Sequence, residues 1–126
     1  MKTESKFWQE VKKNTPNIRW TRLESWASFG VPDLLGYHDS CGFFTVELKV
    51  TKSKKVSLSA HQISFHMTHT RNSFILVKTL EQRCPILYEG AAALELAACG
   101  LELAACRLQL EAWSELEDLL LEACRL

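Results

Sequence analysis

Two acids and an amine sit where the chain otherwise prepares for burial. In GFFTVELKV, residues 42–50, the side chains of Phe43, Phe44, Val46, Leu48 and Val50 are apolar, and Glu47 and Lys49 interrupt them. Charges in such a run cost several kcal/mol unless a partner compensates them. Strand side chains alternate, so Phe44, Val46, Leu48 and Val50 face one way and Phe43, Thr45, Glu47 and Lys49 the other. If HDSCG, residues 38–42, is a five-residue hairpin loop, Tyr37 pairs with Phe43 and every further pair sums to eighty. Asp33 then lies opposite Glu47, with Cβ atoms about 5 Å apart. Carboxylates so placed repel each other unless a cation lies between them, and oxygen-only donors suit a hard divalent ion, Mg²⁺ or Mn²⁺. The bland alternatives are a turn cap for Asp33 after Pro32 and a same-face ion pair for Glu47 and Lys49, worth about 0–1 kcal/mol. The opposition of Asp33 to Glu47 favours the metal.

The elements that must hold these residues are legible from periodicity. TESKFWQEVKKN, residues 3–14, reads as a helix with Thr3 as N-cap and Pro16 beyond its end. At about 100° per residue Phe7, Trp8 and Val11 share one stripe, and Glu4 falls in the middle of it. NIRWTRLES is a strand, FGVPD a Gly-Pro turn, and DLLGY and FFTVELKV the two strands of the hairpin. SLSAHQISFHMTHT reads as a second helix, with Ser59 as N-cap, Gln62 closing a capping box and a Leu58–Ile63 staple. SFILVKT, four apolar residues in succession, is a central strand, and PILYE a short last one. The order α-β-β-β-α-β implies an α/β fold with a mixed sheet covered by helices.

The chain has 126 residues, 47% hydrophobic and 24% charged, which suits one globular domain. Its net charge of zero hides an asymmetry. Residues 1–89 hold thirteen Lys and Arg against eight Asp and Glu, and residues 90–126 hold two against seven. The first part can meet a polyanion, and the second cannot. The polar N-terminus and the charges within the apolar run 91–110 predict a cytoplasmic protein with no membrane span. Five scattered cysteines, none in a CxxC pair, read as thiols of a reducing compartment. His61, His66 and His69 share a helix without a zinc spacing and read as polar-face or half-buried residues.

GVPDLLGYHDSCGFFTVELKV resembles the P-D…E-x-K signature of the PD-(D/E)XK nuclease superfamily. The ordered set is more specific than that pair alone: Glu in the first helix, then TRLES…GVPDLL, VELKV with trailing lysines, and LSAHQISF. Over residues 3–80 it is similar to the VRR-NUC branch and, more distantly, to archaeal-type Holliday junction resolvases. The resemblance implies a restriction-endonuclease-like core and a Mg²⁺-dependent phosphodiesterase acting on DNA. It gives Asp33, Glu47 and the backbone carbonyl of Leu48 the part of metal ligands, and Lys49 that of positioning the attacking water and offsetting phosphate charge. Glu4 is the third acid, with Glu24 its rival, and Gln62 takes an active-site part on the resemblance alone. Lys52, Lys54 and Lys55 follow the carboxylate strand, and Lys12, Lys13, Arg19 and Arg22 extend a surface for a nucleic-acid backbone.

Residues 90–126 stand apart as a helical tail to a nuclease core of 1–89. LELAACG, 94–100, is followed at once by LELAACR, 101–107. Leu94, Ala98, Leu101, Ala105, Leu108 and Ala112 alternate four and three apart, which predicts a long amphipathic helix, weakened at Gly100, that packs on the core or pairs two copies. Cutting both strands of a duplex needs two sites, which favours a homodimer. Three functions remain open: a structure-directed endonuclease for branched DNA in phage or bacterial DNA processing, a site-specific homing-type endonuclease, and a DNA-binding module with a relic site. Few base-reading candidates favour the first, and the intact acids and lysine disfavour the third.

Overall fold

The structure is a computed structural model that describes residues 2–23, 30–102, 107–108 and 110–124. Glu24 lies outside them. Helix α1 (Lys2–Asn14) leads into β1 (Arg19–Arg22), β2 (Leu34–His38) and β3 (Gly42–Thr51). Helix α2 (Ala60–Thr68) carries the chain to β4 (Ser73–Thr79), and β5 (Ile86–Glu89) follows. The tail supplies α3 (Ala93–Cys99), β6 (Arg107–Leu108) and α4 (Leu116–Ala123). Six strands form one sheet in the order β1-β2-β3-β4-β5-β6. All neighbours are antiparallel except β3 and β4, which α2 connects in parallel. No helix among the described residues is long and apolar enough to cross a membrane.

Helix α1 begins at Lys2, so Thr3 stands inside it rather than capping it. Its stripe works as the spacing predicts: Phe7, Trp8 and Val11 are buried against Phe44, Val46 and Leu48 of β3, with Phe74, Leu76 and Leu87 beyond. Trp8, Trp20, Phe44 and Phe74 continue this core as edge-to-face pairs, with successive centroids 6.1, 5.5 and 6.3 Å apart. The other face of the sheet holds a second cluster of Val56, Ile75, Val77, Ile86, Tyr88, Ala93 and Leu96 beneath α3.

The tail does not form one long helix. Gly100 adopts φ +66°, ends α3, and passes so close to the Lys54 carbonyl that a Cβ there would lie 2.3 Å from its oxygen. The next amide, Leu101 N–H, donates to that same carbonyl at 2.7 Å. A glycine tolerates both the conformation and the approach, and the helix stops because a better acceptor lies outside it. Leu94 of the expected seam is 56% exposed, Leu108 enters β6 beside Leu87, and Ala105 lies outside the described residues. Leu110, Leu116 and Leu120 join the α1 core instead. Polar ties fix the same segment. The backbone N–H and Nδ2 of Asn17 donate to the two carboxylate oxygens of Glu117, at 2.8 and 2.9 Å, and Trp113 Nε1 donates to the Arg83 carbonyl at 2.9 Å.

Candidate active site

The β2–β3 ladder pairs Leu34 with Val46, Tyr37 with Phe43 and His38 with Gly42, so each pair sums to eighty as the five-residue loop predicts. One step beyond the ladder the backbone changes partners. Leu48 N–H points toward β2 and donates to Asp33 Oδ2 at 2.9 Å. In register its opposite number is Pro32, which has no N–H to return to the Leu48 carbonyl. N–H and C=O of one strand residue point to the same edge, so that carbonyl is directed toward Asp33 without a ladder donor. The Asp33 carbonyl meanwhile accepts from Leu23 N–H at 2.8 Å, which extends the β1 side. Pro32-Asp33 thus ends one ladder, substitutes a carboxylate for it, and leaves a main-chain oxygen beside that carboxylate.

Glu47 is 3% exposed, on the face opposite the α1 core. Burial pushes its carboxyl up to about 9, Asp33's negative charge adds to the rise, and Lys49 opposes it without prevailing. Glu4 contributes a smaller rise, from the start of α1. Lys49 Nζ stands 4.0 Å from Glu47 Oε2 and donates to Gln62 Oε1 at 3.1 Å. Gln62 Nε2 donates to Glu47 Oε2 at 3.0 Å, Glu47 Oε1 is buried and receives no donor, and a hydrogen bond from the protonated carboxyl to Asp33 adds to its rise.

Gln62 also closes the expected capping box. Its Oε1 accepts from Ser59 N–H at 2.9 Å, and Ser59 Oγ accepts from Gln62 N–H at 3.1 Å. The cap accounts for only part of this side chain. Because Oε1 accepts from an amide N–H and an ammonium together, the amide has one orientation, and its NH₂ must face Glu47. The first turn of α2 is thereby registered to the carboxylate. Gly30, at φ +81°, lets the incoming chain pass the His61 backbone, where a Cβ would lie 2.3 Å from its oxygen.

Glu4 is exposed and lines an open cleft of about 480 Å³ with Lys49, Thr51, Lys52, Lys55 and Leu80. Lys54, also exposed, turns to a neighbouring hollow with Gln82, Glu102 and Arg107. Lys12 and Lys13 belong to α1, whose buried face covers the other side of the sheet, and Lys12 lies over the Trp8 ring at 5.4 Å. Arg19 and Arg22 are exposed on the edge strand β1. Lys52 and Lys55 therefore line the cleft with Lys49, whereas Lys12, Lys13, Arg19 and Arg22 do not.

The donor set fits a hard divalent ion. Two carboxyl groups, one of them buried, and an adjacent carbonyl offer oxygen donors of the kind such an ion takes. Among the described residues no three of His, Cys, Asp and Glu converge into a finished chelate, so Glu4 stands further out.

Periodicity gave no sign of His66. It is fully buried rather than half-buried, with Nδ1 2.5 Å from Ser73 Oγ, which bridges α2 to the start of β4. Burial, and then His69, lower it to about 4. Its place four residues after Gln62 on a short helix is the one available signal, and nothing in its type distinguishes core from surface.

Comparison with known proteins bears on the fold. Sequence comparison finds no matching family model and no curated protein of significant similarity. Among solved structures, the chain is similar to Hjc, a Holliday junction resolvase from the archaeal hyperthermophile Archaeoglobus fulgidus. The TM-score is 0.52 over 71% of this chain and 74% of that one, at 16% identity. The fold is restriction-endonuclease-like. In that frame β2 and β3 are the strands that bring Asp33 and Glu47 together, and α2 is the crossover that brings Gln62 to them.

Proposed function

We propose that this chain is a Mg²⁺- or Mn²⁺-dependent DNA endonuclease directed to branched DNA, of the PD-(D/E)XK type and closest in its ordered motifs to the VRR-NUC branch. One observation carries the reading: Asp33, Glu47 and Lys49 converge at the broken end of the β2–β3 ladder, with Glu47 buried against the charge of Asp33. A stability-driven sequence would have placed an apolar residue there.

Asp33, Glu47 and the Leu48 carbonyl would hold the metal, with Glu4 in reserve at the cleft. When bound, the ion supplies charge to polarise a phosphoryl oxygen and acidify a water. The chain's own residues do the rest. Glu47, protonated in the metal-free fold, would have to be ionised to hold the ion. Lys49, held by Gln62, presents a fixed ammonium toward negative charge developing on the phosphate. Gln62 keeps Glu47 Oε2 and Lys49 apart and oriented, so neither has to reorganise during the reaction. Lys52 and Lys55 line the cleft as contacts for flanking phosphates, and Lys54 lies beside them. Hjc is a Holliday junction resolvase, which supports a branched substrate for this related fold. Two strands to cut and one site per chain favour a homodimer.

The test compares wild type with Asp33→Ala on a four-way junction, a flap, plain duplex and single strands, each with Mg²⁺ or EDTA. Cleavage should need both the metal and Asp33 and should be fastest on branched forms. Activity that persists in EDTA sinks the metal assignment, and discrete cuts in long duplex point instead to site-specific cleavage.

A further inference from the structure

The face of the hairpin that carries Asp33 and Glu47 also carries an aromatic row. Residues directly opposite in antiparallel strands project to one side of a sheet. Arg19 pairs with Tyr37 and Tyr37 with Phe43, so these three side chains form a single row across β1, β2 and β3. The Tyr37 and Phe43 rings have centroids 4.9 Å apart, and the Arg19 guanidinium lies 6.0 Å from the Tyr37 ring. Phe43 is 63% exposed, the largest exposure among the exposed large apolar side chains of the described residues. Fold stability does not explain it, because a ring left in water contributes little burial.

Phe43 and Glu47 are four residues apart on one strand and share its parity, as do Tyr37 of β2 and Asp33 immediately before it. The row therefore lies about 13 Å from the carboxylates along the strand direction, at about 3.3 Å per residue. That is about four nucleotides of a stacked strand, at about 3.4 Å each, and fewer of an unstacked one. The two ring planes are inclined 55° to each other, and an exposed ring with a cation close to its neighbour suits a base and its phosphate. An unpaired base offers its π-face, whereas a paired base in a duplex has already stacked both of its faces.

We propose that Tyr37 and Phe43, with Arg19 beside them, form a stacking ledge for an unpaired nucleotide of the substrate strand, a few nucleotides from the phosphate held at Asp33 and Glu47. The ledge rests on the nuclease reading and deepens it. It gives the protein a means of preferring branch points, gaps and flaps without reading sequence. The cation at Arg19 and the continuity of the row with the acids argue for nucleic acid over a second copy of the chain.

The experiment measures binding in an Asp33→Asn background, which prevents cutting, to a gapped duplex and to the same duplex intact. Phe43→Ala should weaken gapped binding about tenfold more than intact binding, a ratio in the range of one lost base stack. Phe43→Trp should restore it. With 2-aminopurine placed at successive positions in the gap, one position should be quenched on binding, and Phe43→Ala should relieve that quenching. Equal loss on both substrates, no loss, or a Phe43→Ala change confined to oligomeric state in solution would overturn the ledge while leaving the nuclease reading intact. Failure of the Phe43 wild-type ring to bind any of these DNAs overturns both.

Discussion

The two faces of β3 were built from alternate residues of one segment, and they do opposite work. Phe44, Val46 and Leu48 are all at most 3% exposed and pack under α1 with Phe7, Trp8 and Val11. Phe43, Thr45, Glu47 and Lys49 face the other way and hold an exposed ring, a buried hydroxyl without a partner, a buried acid and a tethered amine. One face lowers the free energy of the folded state. The other raises it, a cost that a proton on Glu47 offsets in the metal-free protein and that a bound cation would offset in its place. A site and its scaffold can thus share a strand because the pleat separates them completely.

The largest effect expected is on the polar face. Asp33→Ala should reduce cleavage on the order of a thousandfold, the scale of losing a metal's several kcal/mol of charge stabilisation, with little loss of melting temperature. Steady-state cleavage and thermal melting of one preparation check both halves. Leu48→Ala should do the reverse. Truncating a buried leucine costs about 2–5 kcal/mol, read as a lower denaturant midpoint at unchanged m-value. If Leu48→Ala left stability intact, the division between the faces would be wrong.

The contrast sharpens with pH. Glu47 is raised from its ordinary range to about 9, so the metal-free folded protein holds a proton that the unfolded chain releases. The contribution of that proton to stability should be complete below pH 4.5 and be lost as pH rises through about 9. Mg²⁺ should reverse that fall, binding more tightly as pH rises by up to about tenfold per unit, because each ion displaces a proton. Glu47→Gln should abolish both the slope and the metal response, and melting curves across pH with and without Mg²⁺ read them together. His66 has the opposite sign. Its folded value is lowered to about 4, so its contribution is complete above pH 6.5 and is lost as pH falls toward 4. The loss is up to about 3 kcal/mol. His66→Asn should flatten the acid limb of the same curves and leave the alkaline limb unchanged. The smallest effect belongs to the cleft: Lys52→Ala with Lys55→Ala should weaken DNA binding severalfold and make the salt dependence shallower by about two phosphate contacts.

Much of this was legible before any coordinates. The alternation in GFFTVELKV, the loop length of HDSCG and the stripe of α1 fix which residues share a face, and the observed register agrees with them. The capping box of Ser59 and Gln62 was readable too, but not that the same amide would bind Glu47 and Lys49, since that requires α2 to cross over β3. Nor could composition separate Lys52 and Lys55, which line the cleft, from Lys12 and Lys13, which ride on the helix covering the other face.

The tail marks the limit most plainly. LELAACG and LELAACR differ at one position, where Arg107 makes the second the better helix former by about 1 kcal/mol. The first is helical up to Cys99, whereas the second opens in a tight turn at Leu101–Glu102 and closes in a strand at Arg107. Local propensity favours the second repeat, yet the helix lies in the first, so propensity does not decide between them. The Lys54 carbonyl takes the Leu101 amide, and the open edge of β5 takes Arg107 and Leu108. Period and turn chemistry are properties of neighbours in sequence, and the sequence alone determined them. Which backbone edge stands vacant beside a segment is a property of the assembled sheet, and only the tertiary structure could decide it.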